Sequence, residues 1–170
     1  MKNILIFACT VFAFQSLAQS PKATVKSGAK HIKMLSAFSQ RTMPGARGMK
    51  PITDYHFILV WKNNDAPGTF VWRGDHTWMT CSLLKVHKAN KKNADHTSPA
   101  GFSYTLEDVT KHPLKKGDTL EISPLAGGKF AVPKEIPQDS MNVLYFKTVK
   151  SEWLSYPVKK ITAMQDIVLP

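Results

Sequence analysis

The sequence predicts an all-β chain, an antiparallel β-sandwich with a small β-barrel as the alternative. Three observations predict it. Short apolar stretches rich in β-branched and aromatic residues recur through residues 30–170. Clusters of Gly, Pro, Asn and Asp separate them, as in sandwiches and barrels. No stretch sustains a helical period, and no repeat of fixed length is present.

The elements follow in order. His31–Gln40 alternates, with Ile32, Met34 and Phe38 on one side and His31, Lys33 and Ser39 on the other. Period two predicts a half-buried strand. Residues 41–53 carry Pro44, Gly45, Gly48 and Pro51 with three basic residues, and so read as a basic loop. Tyr55–Trp61 is the strongest strand: Tyr55, Phe57, Leu59 and Trp61 share a face, while Ile58 and Val60 make the other face apolar too. Two apolar faces place a strand inside a sheet. Thr69–Arg73 and Thr77–Lys88 flank Gly74-Asp75, which predicts a hairpin with a two- or three-residue loop. Further strands are expected at Phe102–Leu106, Thr119–Ser123, Asn142–Val149 and Trp153–Ile161, with an edge strand in Met164–Leu169. The spacing is immunoglobulin-like in general design only, because the Cys-Trp-Cys framework of true immunoglobulin domains is missing.

The N-terminus reads as a secretory signal peptide over residues 1–18. Lys2 precedes the apolar run Ile4–Phe14, and Ser16 and Ala18 place small residues before a cleavage point at Gln19. Charge, apolar run and small residues in that order define such a segment. Residues 19–29 are small and polar, a flexible leader, and residues 30–170 form a single domain of ordinary size. A secreted or periplasmic location follows, with no transmembrane segment in the mature chain, since no later stretch is long enough. Cleavage removes Cys9 and leaves Cys81 alone, so no intramolecular disulfide is expected.

Several activities are excluded as classes. The chain lacks a Gly-x-Ser-x-Gly elbow, a phosphate-binding Gly loop, a dinucleotide fingerprint, His-Glu-x-x-His and Cys-x-x-Cys. Hydrolases, nucleotide enzymes and zinc proteins that depend on those strings are disfavoured. No cofactor is implied, and the balance leans away from an enzyme. Arg73-Gly74-Asp75 spells an adhesion tripeptide, but Gly and Asp are also what a hairpin turn requires.

Two candidate sites remain. The formal charge is +11, with 23 basic and 12 acidic side chains. Lys88, Lys91, Lys92, Lys115 and Lys116 fall in two turns that strand geometry brings to one end, and a field of lysines attracts anions. The partners this implies are an acidic glycan or a surface protein; secretion argues against intracellular nucleic acid. The second candidate is a metal site made by His56, Asp75 and His76, which share one end of the predicted sheet. Imidazole and carboxylate suit a transition metal, and an Asp beside a His orients it. The sequence therefore favours a secreted or cell-envelope binding module. The alternative is a small envelope enzyme or metal-binding protein using loop histidines.

Overall fold

Tyr55–Trp61, the most apolar run, lies inside a longer strand with hydrogen-bonded neighbours on both sides. The computed structural model describes residues 25–45, 48–74, 77–109, 113–125, 130–138 and 141–169. Within them the strands are β1 Lys26–Ser27, β2 Ile32–Met43, β3 Ile52–Trp61, β4 Pro67–Arg73, β5 Trp78–Lys88, β6 His96–Thr97, β7 Ser103–Asp108, β8 Thr119–Pro124, β9 Val143–Thr148, β10 Leu154–Pro157, β11 Thr162–Ala163 and β12 Ile167–Val168. The only helical turn among the described residues is the 3₁₀ turn Lys91–Asn93. The signal-peptide segment lies outside the described residues.

The strands form one sheet in the order β1-β10-β9-β4-β5-β8-β3-β2-β11, with β12 also on β2 and β6-β7 branching from β5. β5 is the hinge of this order. Its residues Trp78, Met79 and Thr80 pair with β4, Cys81–Lys85 with β8, and Leu84–Lys88 with β7. The path does not close, since β1 ends one side and β11 and β12 end the other. The barrel alternative is therefore corrected: the sheet is open. The expectation of a purely antiparallel sheet is corrected too, because β1 runs parallel to β10, and β11 and β12 run parallel to β2.

The main core explains why β3 is central. Phe57, Leu59 and Trp61 are fully buried. Phe57 meets the Trp72 ring at 4.6 Å between centroids, and Trp61 meets Phe70 and Phe146 at 6.3 and 5.9 Å. β3 is not a sheet neighbour of β4 or β9, so these contacts show the sheet folding over an apolar interior. The other side of β3 is covered as well, where Ile58 packs with Phe38, Val86 and Tyr104. A third cluster, built on Val71, Tyr145 and Ile136, lets the 130–136 segment cover the outer side of β4 and β9. Gly28, just after β1, fits under this edge because a Cβ there would run into the Phe146 ring.

Leu59→Ala tests the central placement. The side chain is wholly inaccessible, and deletion of such a leucine costs about 2–5 kcal/mol in transfer and cavity terms. Urea unfolding should show that loss; a change below about 0.5 kcal/mol, typical of surface sites, would reject the placement.

Two local expectations change. Met34 pairs with Leu59 but Ser36 pairs with Ile58, so Leu35 is an extra, bulged residue. A bulge resets the alternation. Ile32, Met34 and Ala37 therefore face the main core, whereas Phe38 joins the opposite cluster rather than sharing a side with Ile32. The hairpin loop is also longer than either predicted register. Arg73 pairs with Trp78 and Trp72 with Met79, which leaves four residues, 74–77, between strands. This register keeps Trp72 and Met79 on the main core and sets Trp78 against Tyr145 on the other face. Arg73 lies over the Trp78 ring at 5.4 Å, with its Nε and one terminal nitrogen buried. That inward placement does not present the arginine as an adhesion loop would.

Candidate functional site

The β5–β8 register decides where the predicted anion-binding lysines lie. Lys85 pairs with Leu120, so β5 runs on to Lys88 beside the turn that precedes β8. That turn is Lys115–Asp118. Asp118 N–H donates to Lys115 O at 3.1 Å, and Gly117 takes φ +97°. A left-handed φ at the third position of a tight turn favours glycine. Gly117 N–H donates to Trp61 O at 2.7 Å, which ties the turn to the end of β3. Lys115 and Lys116 thus stand exposed at the end of the sheet where β5 terminates.

Lys91 and Lys92 lie in the 3₁₀ turn three residues beyond Lys88, at this same end. Ala89 N–H donates to Ser103 O at 3.0 Å, which carries the pairing of β5 with β7 one residue past Lys88. Lys88 and Lys92 are exposed. Three lysines that the sequence reading did not include join them. Lys33 pairs with Val60, Lys62 follows Trp61, and Lys30 precedes Ile32, which pairs with Trp61. Isolated lysines in separate strands give no run to notice, and only the pairing of β2 with β3 gathers them.

Asp118, the acid within the Lys115–Asp118 turn, is already engaged. Asp118 accepts from Lys85 Nζ at 3.0 Å and from Lys115 N–H at 2.8 Å. Burial pushes its carboxyl up, but these hydrogen bonds and both lysine charges outweigh it and hold the group below the usual range. No ion pair among the described residues engages Lys88, Lys92, Lys115 or Lys116.

Of the predicted metal candidates, only His56 lies among the described residues. Asp75 and His76 lie outside the described residues. His56 is on β3, and its Nδ1 lies 2.8 Å from Glu121 Oε1. No group of three or more His, Cys, Asp or Glu side chains converges among the described residues. The other described histidines are dispersed: His31 beside Asn63 at 2.9 Å, His87 beside Glu107 at 2.8 Å, and His96 stacked on Tyr104.

His56 nevertheless belongs to a cluster that sequence reasoning missed. Glu121 and Ser123 are alternate residues of β8 and so share a face. Ser123 Oγ donates to Glu121 Oε1 at 3.1 Å and lies 3.3 Å from His56 Nδ1. Phe38 stacks on the imidazole at 4.8 Å. Glu121 is buried, and its Oε2 has no hydrogen bond of ordinary geometry among the described residues. Burial pushes the Glu121 carboxyl up, yet His56, Tyr104 and Ser123 together hold it below the usual range. Burial, with the carboxylate beside it, pushes the Tyr104 hydroxyl up.

This cluster is not a Ser-His-acid relay. A relay needs the serine on one ring nitrogen and the acid on the other, whereas here both approach Nδ1. Cys81 offers no nucleophile either: it is half-buried against the main core, and burial pushes its thiol up and keeps it protonated. The sequence clue to the cluster is slight, an acid in the middle of Thr119–Ser123. Such alternation reads as an ordinary solvated face until Phe102, Tyr104 and Met164 are seen to cover it. The chain matches no family model, and no curated protein or solved structure is significantly similar to it.

Proposed function

We propose that the chain is a secreted or cell-envelope binding module whose basic end engages an acidic polymer, an acidic glycan being the class that fits an extracellular location. The observation that carries this reading is the gathering of Lys88, Lys92, Lys115 and Lys116 at one end of the sheet, free of ion pairs among the described residues, beside Lys30, Lys33 and Lys62. Unneutralised lysines sum their fields, and an acidic polymer gains by meeting several of them together. Secretion rests on the charge, apolar run and small residues of positions 1–18. An immunoglobulin-like sandwich is the architecture proposed here; the packing of β3 against β4 and β9 supports it. No helix among the described residues is long and apolar enough to cross a membrane.

The test is binding to polygalacturonate at low and physiological salt. Affinity should fall as salt rises, because exposed charges are screened beyond about 8 Å at 0.15 M. Replacing Lys88, Lys92, Lys115 and Lys116 with glutamine should weaken binding at least about tenfold, a difference of roughly 1.4 kcal/mol, with an unchanged melting temperature. Equal binding by the variant would reject the basic end as the site. Lysines also protect strand edges from aggregation; a variant that binds equally and aggregates sooner would assign them that role.

The alternative, an enzyme or metal-binding protein built on histidines, finds support in the fixing of His56 by a buried carboxylate, a known way to orient a metal ligand. Further ligands for it are missing among the described residues.

A further inference from the structure

The bulge at Leu35 opens a second site, whose narrower part reaches the basic end at Lys88. On the outer edge of β2, β11 pairs with Phe38 and Ser39, and β12 with Thr42 and Met43. The strand before Phe38 has no partner on that side among the described residues. Bulges re-aim side chains at sheet edges, and Leu35 is 40% exposed although large and apolar. It forms a wall of two adjoining cavities, which also share Ala100.

The wider cavity is a groove of about 530 Å³ between the β2 edge, Pro99 and the Tyr156–Lys160 segment. The narrower one, about 280 Å³, is lined mainly by Leu35, Val86, Ala100 and Phe102. The groove is of the size small-molecule sites require, about 300–1,000 Å³, and the narrow cavity extends it. Their linings combine apolar residues with lysines: Lys159 and Lys160 line the groove, and Lys88 lines the narrow cavity. Neither lining contains an acid. Lys159 and Lys160 are exposed and take part in no ion pair among the described residues.

We propose that these cavities bind a free single-chain anionic amphiphile, an acyl carboxylate, with its headgroup at Lys159 and Lys160 and its chain passing Leu35 toward Val86 and Phe102. The apolar walls match the chain, and two unneutralised ammonium groups match the carboxylate. An extended peptide added to the β2 edge fits less well, because the bulge between Met34 and Ser36 breaks the ladder such a strand would follow. A recess also suits a single chain better than a bilayer face, which meets a protruding apolar surface. The narrow cavity shares Lys88 with the basic end, but the headgroup lysines, Lys159 and Lys160, belong to the groove alone.

The experiment is calorimetric titration of the full chain with hexanoate, octanoate and decanoate below micellar concentrations. Each added methylene should tighten binding about fourfold while it is buried. Decyltrimethylammonium, with the same tail and opposite charge, should bind at least tenfold more weakly than decanoate. Leu35→Trp should fill the shared wall and weaken decanoate at least tenfold. The exposed pair Lys159→Gln and Lys160→Gln should do so with an unchanged melting temperature, so the test survives if Leu35→Trp fails to fold. Affinity independent of chain length, equal binding of the cationic tail, or retention by the lysine pair variant would overturn the proposal. So would loss of decanoate on replacing Lys92, Lys115 and Lys116 alone, which would move the headgroup to the basic end. Binding to phosphatidylglycerol vesicles without binding decanoate would overturn it in favour of a membrane surface.

Discussion

Trp61→Ala is expected to destabilise the protein by about 3–5 kcal/mol, the range for emptying a buried tryptophan site. The indole is wholly inaccessible. Its edge meets Phe70 and Phe146, and Nε1–H donates to Asp65 O at 2.9 Å. The substitution removes apolar contact from β4 and β9 together, so both parts of the folded sheet lose packing at one point. The hydrogen bond adds about 1 kcal/mol or less, because Asp65 is only half-buried and water replaces the lost donor. Against a total stability of about 5–15 kcal/mol, a cost of this size should lower the melting temperature by roughly 6–20 °C. Thermal and urea unfolding followed by circular dichroism would measure it. A shift of under about 0.5 kcal/mol would mean that β3 does not carry the contact between the two parts.

β3 was legible because its signal does not depend on register. Every residue from Phe57 to Trp61 is apolar, so the strand is buried whichever face points inward. β2 was less legible for the opposite reason. Ile32, Met34 and Phe38 keep one parity across the bulge, and the alternation alone runs on unbroken. The overlooked sign was Leu35, a large apolar residue at a position read as polar. The hairpin misled because Gly74-Asp75 suits a tight turn locally, whereas the register is fixed by distant partners. Val71 pairs with Tyr145 and Arg73 with Val143, and Trp78 packs on Tyr145. Of the short parallel strands only β12 was legible, inside the edge strand expected in Met164–Leu169. β1 and β10 are paired through Lys26 and Leu154, and two residues at such separation carry no period.

The candidate sites divide in the same way. Lys88, Lys91 and Lys92 stand close in sequence, as do Lys115 and Lys116, so a guess that β5 and β8 end together sufficed to group them. Lys30, Lys33 and Lys62 needed the pairing of β2 with β3. The His56 cluster needed still more, because it joins β2, β3, β7 and β8, and Met164 beyond β11 adds to its cover. The amphiphile cavities depend on a bulge, which is a failure of the pattern from which strands are read.

Glu121→Ala is expected to cost about 3 kcal/mol at pH 7. The buried carboxylate accepts from Ser123 Oγ and lies against His56 Nδ1; a hydrogen bond to a charged group is worth about 1.5–3 kcal/mol, and the upper end applies because more than one partner is lost. The substitution also strips Ser123 of its acceptor and leaves Tyr104 facing an apolar gap. The pH dependence identifies the cause. The folded protein holds the Glu121 carboxyl below its usual range. Its contribution is therefore complete above the ordinary glutamate value, about 4.3, and is lost as pH falls through the lower folded value. Asp118 is held low as well, and His31 is lowered by burial and by the Lys30 charge, with Asp65 opposing. All three make the wild-type protein less stable in acid, but Asp118 and His31 remain in the variant and cancel in the difference. Urea unfolding of the two proteins at pH 7 and pH 3 should thus show a gap of about 3 kcal/mol that narrows at the lower pH. A gap that widens on acidification would show that the carboxylate is not the stabilising form, and a gap that stays constant would assign the loss to packing alone.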